Sequence, residues 1–163
     1  RRELNVDIPP GVDDGQRLRV QGEGEAGRLG GGRGDLYITI QVEQHPLFTR
    51  KGTTVYCEVP VTFGQAALGG SVDVPTLHGM VSLKIPAGAK TGTQLRVRGK
   101  GMPDLRGYSH GDQVVLVRVE VPVKLSRKQT SLLEQFEAEG DAKTYPDVEA
   151  FHRAARDAMK PGK

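Results

Sequence analysis

Residues 4–43 recur as residues 81–120, displaced by 77 positions without a gap. Ile8-Pro9 falls on Ile85-Pro86, Gly11 on Gly88 and Gly15 on Gly92. The register then carries Leu18-Arg19-Val20 onto Leu95-Arg96-Val97, Gly22 and Gly24 onto Gly99 and Gly101, Gly34-Asp35 onto Gly111-Asp112, and Val42-Glu43 onto Val119-Glu120. Fourteen of the forty pairs are identical. They concentrate in glycines, a proline and alternating apolar residues, the types that set turns and strand faces. An ungapped repeat of this length implies two copies of one small β unit.

The copies are not equally preceded. Residues 51–80, ahead of the second copy, hold a strand, a short helical stretch closed by glycine and a hairpin, whereas three residues precede the first copy. The first unit is therefore expected to be N-terminally incomplete, with its opening strands upstream in a longer protein. A unit short of strands exposes an unpaired sheet edge.

Local patterns fill in the elements. Leu4–Ile8 alternates at period two and stops at Pro9-Pro10-Gly11, which predicts a strand. Gln16–Gln21 and Asp35–Glu43 alternate likewise, and His45-Pro46 with the polar run Thr49–Thr53 marks the boundary between units. Val55–Val61 predicts a strand whose Pro60 must sit at an edge or an end, because proline cannot donate to a ladder. Phe63–Leu68 reads as a short helix stopped by Gly69-Gly70, and His78-Gly79 as the turn of a hairpin between Ser71–Leu77 and Met80–Ile85. After Pro122 the period becomes helical. Ser126 opens a capping box with Gln129, ahead of Leu132, Leu133 and Phe136 on one stripe and Gly140 as the stop. Pro146 opens a second helix carrying Val148, Phe151, Ala155 and Met159 on one side. The fold class expected is all-β, two tandem small β-sandwich-like subdomains (the first N-terminally incomplete) followed by C-terminal α-helices. The expected divisions are residues 1–46, 47–124 and 125–163.

Several motifs resemble sites without making one. Gly22-Glu23-Gly24-Glu25-Ala26-Gly27 has the spacing of a dinucleotide loop, yet it places two carboxylates where a pyrophosphate would lie, and Gly30, Gly31 and Gly32 follow in place of a helix. Arg33-Gly34-Asp35 has the form of an adhesion tripeptide, but only Gly-Asp recurs in the second copy, where His110 replaces the arginine. The four histidines have no partner at ligand spacing, and Cys57 as sole cysteine excludes an internal disulfide. No nucleophile–base arrangement is present, so no enzymatic activity is expected. Arg96, Arg98, Lys100 and Arg106 cluster, but Glu23 and Glu25 occupy the same stretch of the first copy, and a net charge of +3 carries no strong nucleic-acid signal. No apolar run approaches the roughly 18 residues of a membrane helix, and Arg1-Arg2 is not followed by a signal-peptide core.

The run Ile8–Arg19, then Gly22–Gly27, Gly34-Asp35-Leu36-Tyr37 and His45-Pro46-Leu47-Phe48, resembles the C-terminal region of Hsp40 co-chaperones of the bacterial DnaJ type. The second copy agrees in Tyr56–Pro60, Ala66–Gly70, Val74–Leu77, Arg98–Pro103 and Leu105-Arg106-Gly107. The resemblance implies substrate-binding β subdomains and a dimerising C-terminal segment, preceded in the whole protein by a J domain and a cysteine-rich zinc region. His45-Pro46-Leu47 is not the J-domain His-Pro-Asp motif. No cofactor is expected in this chain, zinc belonging to the upstream region alone. The expected partners are unfolded polypeptide clients, an Hsp70 in the full-length protein and a second copy of the chain, in a cytoplasmic setting without membrane or nucleic acid.

Carried over by position, the peptide groove includes Leu4 and Ile38, with Val6 and Ile40 beside them. Dimerisation falls to Leu132, Leu133, Phe136 and Phe151. Strand addition at such a groove offers backbone hydrogen bonds of about 1 kcal/mol each and apolar anchors of about 1.5–3 kcal/mol, little above the cost of association. Capture would be weak, tolerant of sequence and reversible. The alternative is a structural β-repeat protein that uses its sheet edges for fixed assembly.

Overall fold

The computed structural model describes residues 3–27 and 31–159. Part of the glycine-rich loop, including Gly30, and the Arg1-Arg2 pair lie outside the described residues. The chain divides by internal contacts into one body ending at Val121 and another beginning at Pro122. Within the first body the second repeat is a four-stranded sheet covered by a hairpin. Strand β3 (Phe48–Lys51) pairs antiparallel with β4 (Thr54–Thr62), β4 pairs parallel with β8 (Gln113–Glu120), and β7 (Gln94–Val97) closes the other side of β8.

Alternation decides which residues make the core. Val55, Cys57, Val59 and Val61 of β4 are buried, while Glu58, Pro60 and Thr62 on its other face are exposed. Val74 of β5 (Gly70–Thr76), Ile85 of β6 (Gly79–Ile85) and Val115 and Val117 of β8 complete the cluster, with Ala66 from α1 (Phe63–Leu68). Burial pushes the Cys57 thiol pKa up, as for a small packed side chain. Helix α1 is short but doubly capped: Thr62 Oγ1 accepts from the Gln65 amide, and Gln65 Oε1 accepts from the Thr62 amide.

Pro60 lies within a strand that has neighbours on both sides, yet it satisfies the rule for proline. The Val55 amide donates toward β8, to the Asp112 carbonyl, so by alternation Pro60 faces the opposite side. There β3 has already ended, its pairing stopping at Cys57. The polar run Thr49–Thr53, expected to separate the units, is instead the end of β3 and the turn into β4, inside the second unit. The β5–β6 loop is Leu77-His78, one residue earlier than expected, because Thr76 pairs with Gly79. The Thr76 hydroxyl donates to the Gly79 carbonyl and accepts the His78 amide, which closes the loop at that position.

The first repeat keeps a smaller part of this plan. Strands β1 (Arg17–Val20) and β2 (Leu36–Thr39) form an antiparallel ribbon with Leu18 opposite Ile38 and Val20 opposite Leu36. Leu4–Ile8, expected as a strand, joins no ladder. Its counterpart in the second repeat is β6, which pairs with β5, and a match to β5 would fall before residue 1. An alternating pattern becomes a strand only where a ladder pairs its backbone, and among the described residues none does.

One device recurs in both copies. The Gly22 amide donates to Asp35 Oδ1 at 3.0 Å, and Arg19 Nε pairs with Asp35 Oδ2 at 2.7 Å. In the second copy Gly99 donates to Asp112 Oδ1 at 2.9 Å, and Arg96 pairs with Asp112 at 3.3 Å. The carboxylate latches the turn after one strand to the start of the next. The dinucleotide-like loop and the adhesion-like tripeptide are therefore parts of this latch. Gly24 is needed because a Cβ there would lie 2.6 Å from the Asp35 carbonyl oxygen.

The second body holds α2 (Arg127–Ala138) and α3 (Pro146–Ala158). Ser126 and Gln129 form the expected capping box. In the α2–α3 connection Asp141 Oδ1 accepts the Lys143 and Thr144 amides and the Thr144 hydroxyl, which holds its carboxyl below the usual range. Tyr145 donates its hydroxyl to Glu137 Oε2 at 3.0 Å and packs so close to Gly140 that a Cβ there would meet its ring.

Two consequences can be measured. A Cβ on Gly111 would run into the Thr53 backbone, so Gly111→Ala should destabilise the second unit by about 1–3 kcal/mol in urea titration. Gly64 in α1 faces open space, so Gly64→Ala should be neutral or stabilising by up to about 1 kcal/mol. The Gly22 hydrogen bond, with Arg19 behind it, depresses the Asp35 pKa. The latch's contribution is then complete above the ordinary aspartate pKa of about 3.9 and is lost as pH falls through the lower folded value. Hydrogen exchange at the Gly22 amide, corrected for intrinsic rate, should show protection disappearing only below that range. Asp35→Ala should abolish the protection at every pH.

Candidate functional site

The residues expected to form a peptide groove have informative counterparts. Ile38 and Ile40 match Val115 and Val117, which are 0% and 1% exposed at the centre of the second unit. Leu4 and Val6 match Val81 and Leu83, which pack against that same core. In the second unit the cover comes from β4, β5 and α1. None of these elements has a match in the first repeat after residue 1. Leu4 is accordingly 39% exposed, while Val6, Ile38 and Ile40 are half-buried. Among the described residues of the first repeat, Gly11 alone is buried.

Among the described residues, the strands of the first repeat also leave backbone outside their ladders. Leu36–Thr39 and Arg17–Val20 each have a ladder on one side only, and Glu3–Ile8 has none. Such edges accept another strand through main-chain hydrogen bonds, with alternate side chains providing apolar anchors. Leu4 stands outside the β1–β2 ribbon that carries Ile38, so the four residues share a repeat position and polarity, and no ladder joins them.

A cleft of ≈ 600 Å³ lies between the two repeats, lined by Asp13, Val42, His45, Phe48, Arg50 and Met102 among others. None of the four candidate residues lines it. Several of its polar groups bond within the chain. Asp14 accepts the Val42 amide, His45 Nδ1 accepts the Leu47 amide, and Arg50 pairs with Asp13. These groups supply hydrogen bonds to the chain itself. Among the described residues no group of three or more His, Cys, Asp or Glu side chains could hold a metal ion. Nor, among them, is any helix long and apolar enough to cross a membrane.

The candidate pairing residues lie on the two tail helices. Leu132, Phe136 and Phe151 are 55%, 44% and 70% exposed, and Leu133 is half-buried. Val148 on α3 and Met159 at its C-cap add further exposed apolar surface. No residue of either helix is buried. Amphipathic helices that leave these stripes open have apolar surface still to cover.

Arg50 is the residue sequence reasoning passed over. It reads as one more polar residue in a boundary, yet in β3 it alternates inward with Phe48 while Thr49 and Lys51 face out. That period-two placement was the available signal.

Residues 1–122 match the DnaJ C terminal domain family. The chain is 59% identical to a protein named Chaperone protein DnaJ from Geobacillus kaustophilus and 57% identical to one from Parageobacillus thermoglucosidasius, in each case over 140 residues. Those alignments take in 86% of this chain and 37% of each relative. A protein of the same name from Bacillus mycoides is 55% identical over 136 residues, 83% of this chain and 37% of its own length. The chain thus spans little more than a third of the length of the curated relatives it matches.

Proposed function

The chain belongs to the DnaJ C-terminal domain family, and on that premise we propose that it is the client-holding and pairing portion of a co-chaperone. Exposed apolar segments of unfolded polypeptides add as a strand at the first repeat, with their large side chains against Leu4 and Ile38 and with Val6 and Ile40 flanking. What supports the reading is the family match together with the alternating apolar pattern of the first repeat, in which Leu4, Val6, Ile38 and Ile40 take the positions of Val81, Leu83, Val115 and Val117. Alternating apolar side chains on strands suit many apolar segments.

The activity in this reading is binding, with no covalent step, cofactor or metal. Backbone pairing recognises no particular side chain, and a few anchors of about 1.5–3 kcal/mol each leave a weak, reversible complex. Pairing through Leu132, Leu133, Phe136 and Phe151 joins two such faces, and the second contact gains from effective concentration. In the longer protein, in the cytoplasm, the held client passes to an Hsp70.

Leu4→Ser combined with Ile38→Ser in the full-length protein should weaken binding of an unfolded apolar peptide about tenfold or more, since two anchors are lost. Fluorescence anisotropy reads this, and an unchanged affinity with the fold intact would remove the assignment. Ending the chain at Lys124 should convert dimers to monomers by light scattering. A surviving dimer mass would place the main pairing surface outside the tail. Competition among unrelated unfolded peptides separates client capture from fixed assembly, in which only one sequence would compete.

A further inference from the structure

We propose that Arg50 is the clasp that sets the orientation of the first β repeat on the second. Its side chain, 22% exposed, spends every nitrogen on the junction. Nε donates to the Gly52 carbonyl at 2.7 Å, which anchors the guanidinium to the β3–β4 turn of the second repeat. Nη1 donates to the Val12 carbonyl and Nη2 to the Gly11 carbonyl, each at 2.7 Å, in the turn that follows Pro9-Pro10 of the first repeat. Nη2 also lies 2.6 Å from Asp13 Oδ1.

Three observations make this a joint. Gly11, at φ +85°, presses on the Pro103 carbonyl of the second repeat so closely that a Cβ would collide with it. It is also the one buried residue among the described residues of the first repeat. The matching turn of the second repeat is held differently, the Gly88 and Ala89 amides donating to Ala66 at the end of α1. Two copies of one turn thus have two different restraints, and the first copy's is borrowed from the other repeat.

The chemistry selects arginine. A planar fork can reach two adjacent carbonyls and a third behind it while keeping its charge beside a carboxylate; a lysine ammonium has one nitrogen and no fork. The clasp therefore determines how the open face of the first repeat is presented relative to the second, whatever that face binds. It does not rest on the client-binding reading.

The test places spin labels at Thr39→Cys in β2 and Ser82→Cys in β6, both exposed, in the full chain, with native Cys57 buried away from the reagent. A second pair, Ser82→Cys with Arg98→Cys, reports on the second repeat alone. The parent should give one narrow inter-repeat distance. Arg50→Ala, Arg50→Lys and Gly11→Ala should each broaden it about twofold or more, as for units joined through a small interface, and leave the internal pair unchanged. An inter-repeat distribution as narrow as the parent's in both Arg50 variants would overturn the proposal. So would broadening of the internal pair by Arg50→Lys, which would make Arg50 a folding residue of β3.

Discussion

Eight consecutive pairs, from Val55 opposite Gln113 to Thr62 opposite Glu120, join β4 to β8 in parallel, and the second repeat is built on that ladder. Parallel neighbours cannot be joined by a tight turn, so the chain must travel through α1, the β5–β6 hairpin and β7 before it returns. That excursion brings Val74 and Ile85 over the valines of the sheet and Ala66 to their edge. Gln113, fully buried at the start of β8, donates its amide to the Pro75 carbonyl and ties hairpin to sheet.

The first repeat shows what the same alternation does without that ladder. Ile38 and Ile40 have the spacing and polarity of Val115 and Val117, but β2 pairs with β1 alone. Apolar side chains left half-buried beside a strand edge are a hazard in an ordinary domain. Main-chain hydrogen bonds are common to all peptides, and an apolar face discriminates among side chains by only a few kcal/mol.

What holds the first repeat in shape is polar. The Asp35 latch, the Gly15 and Ile40 backbone pairing and the Asp14 contact to the Val42 amide each recur in the second repeat, as Asp112, as Gly92 with Val117, and as Thr91 to the Val119 amide. These bonds join the same repeat positions in both copies, so identical residues at Gly15, Gly22 and Asp35 and their counterparts build the same turns.

The 40-residue repeat at a displacement of 77 pointed, without any structure, to two copies of one β unit, and short stretches of sequence marked the Ser126–Gln129 helix cap and the family. Pro60 was likewise legible as an edge residue. Pairing partners were not. Leu4–Ile8 carries a strand's alternation and forms none, Thr49–Thr53 reads as a boundary and is a turn within a unit, and the hairpin loop sits at Leu77-His78. The tertiary structure alone decided which apolar faces are covered and assigned Arg50 its carbonyl partners 38 and 39 residues away. Alternation states which side chains share a face, but burial requires a second surface, and only the folded chain supplies or withholds it.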